Sequence, residues 1–294
     1  MCRAIVGAVR IVTYSLHAEG EIAVTRSLSA ALALAFVLGS ACAPALAATF
    51  APHRAVYAMV LGKSRPGSGV AAVSGEMAVQ WTRDCQGWTF EHHSLLDIAF
   101  AESEPVRLST HASSWESDDS TQYSFTMRHA ADGRETERVE GRATVAKAGD
   151  GFVDFIAPEK QRMELPGGTL FPVAHSEAVL DAAERARGAT TLSRPVFDGM
   201  GDDGPFDVNA VVSPGKANSS SNPAAAPLSK LASYRLSLAY FPVDSVEAEP
   251  KHEMEMLLYA NGVADDLMID FDDFTVRAVL QKVEMLHAPP SCPD

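Results

Sequence analysis

Cysteine is scarce in this chain, with four in 294 residues and no Cys-x-x-Cys pair, which removes the usual dithiol redox motif. No later segment supplies the ~20 apolar residues that a membrane-spanning helix needs. Positive charge is also in deficit. Lys and Arg total 24 against 38 Asp and Glu, a formal net charge of −14, which argues against nucleic acid or an anionic membrane face as the main partner. The chain has no Gly-x-Ser-x-Gly and no Gly-x-x-x-x-Gly-Lys phosphate loop, so the common nucleophile and phosphate machineries are missing.

What the N-terminus does contain is an export signal. Arg26 supplies a positive charge, 28–38 is an apolar run too short to span a membrane, and Ala45-Leu46-Ala47 places small residues at a cleavage site. Cleavage after Ala47 is expected. Residues 1–23 carry Glu19 and Glu21, which do not suit a signal's n-region and point to an over-long start, with translation beginning near Val24. A competing reading lipidates Cys42, but Gly39 stands where a lipobox usually has Leu. The mature chain, 48–294, would be a periplasmic protein of 247 residues with a formal charge of −15. Only Cys85 and Cys292 then remain, 207 residues apart. In an oxidising compartment they read as one structural disulfide closing nearly the whole fold.

Period-two alternation dominates the mature chain. The stretches 55–61, 75–82, 88–96, 105–111, 122–128 and 138–145 alternate between polar or Gly-containing turns, and a further strand ends at Val212. Strands resume over 234–241, 252–259, 266–271 and 275–286, with Asn261-Gly262 as a hairpin turn. In the last strand, Phe274, Val276, Ala278 and Leu280 share one parity and Val283 and Met285 the other, which predicts a bulge near Gln281. Successive short strands suggest an antiparallel meander. One helix is predicted from Val173 to Arg187, with Val179, Ala182, Ala183 and Ala186 on one face and Gly188 just past its end. The stretch 213–228, rich in Ser, Pro, Ala and Asn, is expected to be a flexible loop.

Candidate chemistry is thin. His92-His93 with Asp97 suggests a metal site, yet adjacent strand residues face opposite ways, so one imidazole inward and one exposed is the expectation. Asp265, Asp266, Asp270, Asp272 and Asp273 lack the calcium-loop pattern and read as a solvated acidic turn, and Asp202-Asp203-Gly204 reads as turn chemistry. No catalytic residue, metal or cofactor is assigned.

Ala51-Pro-His-Arg-Ala-Val-Tyr57, Trp81, Cys85 with Gly87-Trp88, Leu165-Pro-Gly-Gly-Thr-Leu-Phe-Pro-Val-Ala-His175 and Val196-Phe-Asp-Gly199 resemble the EipB-like family of periplasmic cell-envelope integrity proteins. The resemblance spans essentially the whole mature chain. It implies a mostly β fold: a single, strongly curved antiparallel β-spiral, barrel-like, with one main α-helix packed against its inside. It also carries the family's paired cysteines onto Cys85 and Cys292. His53, Arg54 and His175 fall in its motifs as candidates for ligand contact or structural anchoring. The implied role is non-enzymatic support of envelope integrity, and the concavity of such a sheet suggests a scaffold or binding module holding a protein, a peptide or a lipid-like ligand on the concave face. A periplasmic lipid or lipoprotein carrier is the alternative, and an envelope hydrolase a third reading. A carrier calls for an apolar cavity open to solvent, whereas a plugged interior with outer grooves favours the scaffold.

Overall fold

The structure, a computed structural model, describes residues 50–146, 150–186, 188–201, 204–215, 221–244, 246, 248–271 and 273–287. The expected export signal, Cys42, Asp202, Asp203, Asp272 and Cys292 lie outside them. Fourteen strands form one sheet. They are β1 (His53–Ser64), β2 (Val70–Arg83), β3 (Gly87–Phe100), β4 (Val106–Ser117), β5 (Gln122–Ala131), β6 (Arg134–Val145), β7 (Gly151–Ala157) and β8 (Gln161–Leu165) before the helix α1 (Pro172–Arg185), and β9 (Thr190–Val196), β10 (Phe206–Pro214), β11 (Ser233–Pro242), β12 (His252–Tyr259), β13 (Ala264–Asp270) and β14 (Phe274–Met285) after it. All strand pairs are antiparallel, and the curved sheet does not close.

The order of the strands is β8 through β1, then β14 back down to β9. The first and last strands are therefore neighbours at the middle, and the two edges belong to strands joined through α1. The connection from β8 to α1 reaches the β9 edge at one point. Leu170 forms an isolated parallel bridge with Val196, donating from its N–H to Pro195 O at 2.8 Å and accepting from Phe197 N at 3.0 Å.

One face of the sheet is buried, as the period-two pattern requires. Ala55, Tyr57 and Met59 of β1 pack with Val276, Ala278 and Leu280 of β14 in the first of three apolar clusters. The second joins Val173, Val179, Leu180 and Ala183 of α1 to Val208, Ala210 and Val212 of β10. The third centres on Phe125, Phe171 and Phe197. Branched aliphatics thus do more of the helix packing than the expected alanine face. The helix also stops earlier than predicted, at Arg185, with Ala186 in extended backbone as its C-cap.

The bulge forms where the parity switch placed it. Val56 pairs with Lys282 and Tyr57 with Leu280, leaving Gln281 as the extra residue. Strand β14 can then turn Val283 to the buried side after Leu280.

A correction arises beside it. Asp265, expected in a solvated turn, is only 1% exposed. Its Oδ1 accepts from Leu280 N at 3.1 Å and Asp266 N at 2.8 Å, while Asn222 Nδ2 donates to Leu280 O at 2.6 Å. The pair thus serves both backbone groups of Leu280, beside the bulge, and the N–H of Asp266. Asp266 and Asp270 instead pair with Arg277 and Arg65. Replacing Asp265 with leucine should cost roughly 2–5 kcal/mol in urea unfolding, because buried N–H groups lose their acceptor. Asparagine, which keeps one oxygen, should recover part of it. A leucine variant as stable as the native chain would contradict this account.

The flexible loop expected at 213–228 also needs correcting. Ser213 and Pro214 complete β10, and Pro223–Leu228 is a 3-10 helix whose Asn222 cap accepts from Ala224 N. Its Ala225 and Leu228 are 4% and 1% exposed against the first cluster. Two small apolar contacts and one Asx cap suffice where the sheet offers a preformed surface. Residues 216–220 lie outside the described residues.

Candidate functional site

The motif residues build the seat of α1. Its N-cap is Phe171, whose side chain cannot cap, and the first turn holds no acidic residue. The missing acceptor comes from β4: Glu116, 2% exposed, receives Val173 N on Oε2 at 2.7 Å and Ala174 N on Oε1 at 3.0 Å. One carboxylate thus satisfies two of the four free donors that begin any helix. Burial pushes its pKa up to about 7 although the two amides pull the other way. Gly87 makes room for this arrangement, since a Cβ there would lie 2.1 Å from Glu116 O. Sequence reasoning missed Glu116. The only available signal was negative, a helix start with no local cap.

His175 sits on the same first helical turn and is 8% exposed. Its Nε2 is buried with no hydrogen-bond partner among the described residues, and burial holds the imidazole down to about 4. His53 is 1% exposed and its Nδ1 lies 2.7 Å from Ala51 O. Burial lowers its pKa, so the ring is neutral at pH 7 and can donate to that carbonyl. Phe50 packs edge-on against His53, Trp81 and Trp88. Arg54, on the opposite face, donates to Gln80 Oε1 at 2.7 Å and stands 3.7 Å from Glu284. Cys85, in the β2–β3 turn, is held in a disulfide.

On the concave face, α1, the 3-10 helix and the three apolar clusters pack against the sheet among the described residues. Depressions lie on the exposed face, one of them about 560 Å³ and lined by Val211, Arg235 and Arg277. Strands β1 to β6 line a depression of about 520 Å³ containing Val56, Glu76, Leu95, His111, Arg128 and Glu135, within the usual range of ligand sites. Register aligns one row across it, Ala78 to His93, His93 to His111, His111 to Arg128 and Arg128 to Arg138. The His93 and His111 rings stand 4.1 Å apart.

His92 and His93 divide between the faces as alternation requires. His93 joins the groove, whereas burial, with the neighbouring histidines adding to it, lowers His92 to about 4. Asp97 is bound by Arg107 at 2.6 and 3.0 Å. Among the described residues, no group of three His, Cys, Asp or Glu is arranged to hold a metal.

The family model described as EipB-like matches residues 44–287. The cell envelope integrity protein EipB of Brucella abortus (strain 2308) is 25% identical over 250 residues, covering 83% of this chain and 88% of that protein. The crystal structure of a beta-barrel-like protein of the domain of unknown function DUF1849, also from Brucella abortus, aligns with a TM-score of 0.73 at 23% identity. That alignment covers 81% of this chain and 99% of the other, and shows a shared fold.

Proposed function

The chain belongs to the EipB-like family, and from that premise we propose that it is a non-enzymatic periplasmic protein supporting cell-envelope integrity, acting as a scaffold or binding module. The name of the Brucella relative supports the envelope role. The observation that carries the binding reading is the division of the two sheet faces. The inner one is occupied by the protein's own helices, while the outer one carries a groove with Leu95 42% exposed beside polar side chains. Glu116 and Asp265, the buried acids best placed to suggest catalysis, are both engaged by backbone N–H groups. Among the described residues no helix is long and apolar enough to cross a membrane.

A strain lacking the gene, complemented with groove variants, tests this reading. Leu95→Arg should leave the melting temperature and periplasmic recovery of the mature chain unchanged while failing to restore detergent resistance. Leu231→Arg, at an exposed position just before β11 and outside the groove lining, should restore it. Full rescue by both variants would remove the groove from the function, and recovery of the protein in the cytoplasm would remove the compartment.

A further inference from the structure

The row across the groove is unusual for a chain with 38 acidic and 24 basic residues. Like charges directly opposite on neighbouring strands destabilise a sheet, yet Arg128 faces Arg138 on one side and His111 on the other. Arg138 is neutralised by Glu140 at 2.7 Å. Arg128 is exposed and forms no ion pair among the described residues.

We infer that this groove binds a single anionic amphiphile, a lipid phosphate seated on Arg128 with His111 and His93 donating beside it and Val56, Ala78 and Leu95 forming its apolar wall. The inference rests on the groove being the binding face, as proposed above, and names the ligand class. A guanidinium without a carboxylate is matched by a phosphate, which accepts two parallel N–H donors. The neighbouring apolar side chains favour a phosphate that carries hydrocarbon. The strongly acidic protein as a whole is repelled by an anionic membrane surface, so the occupant is one molecule removed from a bilayer.

Proton uptake is built into the site. Burial, then His93 and Arg128 beside it, hold His111 below its ordinary range, with Glu91 pulling the other way. Glu76 from β2, Glu135 from β6 and, through the sheet, His92 and His129 complete the titratable surroundings. Glu91 is already engaged by Gln80 Nε2 at 3.3 Å. An anion on Arg128 relieves the repulsion felt by protonated His111, so ligand and proton favour each other's binding by the same factor.

The test is NMR titration of the full mature chain with short-chain phosphatidylglycerol below its micelle concentration, followed at the histidine rings. Binding about tenfold tighter at pH 5.5 than at pH 7.5, with the His111 titration moved upward by ligand, is the expected result. Arg128→Gln and His111→Gln, both at exposed positions, should weaken binding at least about tenfold with unchanged melting temperature. Equal affinity at the two pH values, or equal affinity in the variants, would overturn the inference. Inorganic phosphate binding as tightly as the lipid would overturn the lipid source. Short-chain phosphatidylcholine binding equally well would overturn the anion preference while leaving the groove as the binding face, which the complementation experiment judges separately.

Discussion

Glu116→Gln is expected to lose a pH-dependent part of stability worth about 3 kcal/mol between pH 4.5 and 7, at 1.36 kcal/mol per pKa unit. Folding raises the Glu116 carboxyl from its ordinary 4.5 to about 7. A group whose folded pKa is raised contributes stability that is fully present below the unfolded value and is lost as pH climbs through the folded one. The native-minus-glutamine difference in unfolding free energy should therefore fall steadily from pH 4.5 to pH 7 and level off above. His92 and His175 act in the opposite sense. Each is lowered from 6.5 to about 4, so their contribution is present above pH 6.5 and disappears as pH falls through 4. With Glu116 neutralised by substitution, the variant should show the histidine slope alone, more stable towards neutral pH and weaker in acid. Urea unfolding at half-unit steps measures both curves, and parallel curves would show that Glu116 does not titrate across this range. Glu116→Ala removes both acceptor oxygens from Val173 N and Ala174 N and should cost roughly 2–4 kcal/mol at pH 5, with hydrogen exchange rising first in α1.

Breaking the disulfide should have the other large effect. We propose that Cys85 pairs with Cys292, the only other cysteine of the expected mature chain. The register supports this pairing. His53 lies opposite Trp81 on one side and Met285 on the other, so β2 and β14 end together at the same end of the sheet. Cys85 is four residues beyond Trp81 and Cys292 seven beyond Met285, a span that ~3.3 Å per residue covers easily. Closing a loop of 207 residues removes unfolded-state entropy worth up to about 5 kcal/mol in the chain-entropy model. Cys292→Ser should lower the melting temperature by several degrees and speed proteolysis. Adding reductant to folded native protein provides the same comparison should the variant fold poorly. Equal melting with and without reductant, or a mapped disulfide that lacks Cys292, would contradict the pairing.

Much of the fold was legible in local pattern. The alternation over 252–259 matches the observed strand bounds, the parity switch around Gln281 locates the bulge, and Gly262, at φ +85, occupies the turn that Asn-Gly announces. Strands β7 to β9 are not legible in the sequence, since they are short and flank the helix, where period two is brief. The candidate site was mostly illegible. His53 and His175 stood out through their motifs, but Glu116, His111 and Arg128 lie in ordinary-looking strand sequence.

The reason is the range of the interactions. Alternation, helix spacing and turn chemistry are set by residues within a few positions of one another, so the sequence alone determined the mostly β architecture and the single main helix. Tertiary structure decided everything that depends on register between distant segments. It placed β14 beside β1, brought Glu116 to the helical residue Val173, 57 positions later, and buried Asp265 against Leu280, 15 positions away beside the bulge. It also lined up His93, His111 and Arg128 on three strands, where no spacing along the chain could show that they share one groove.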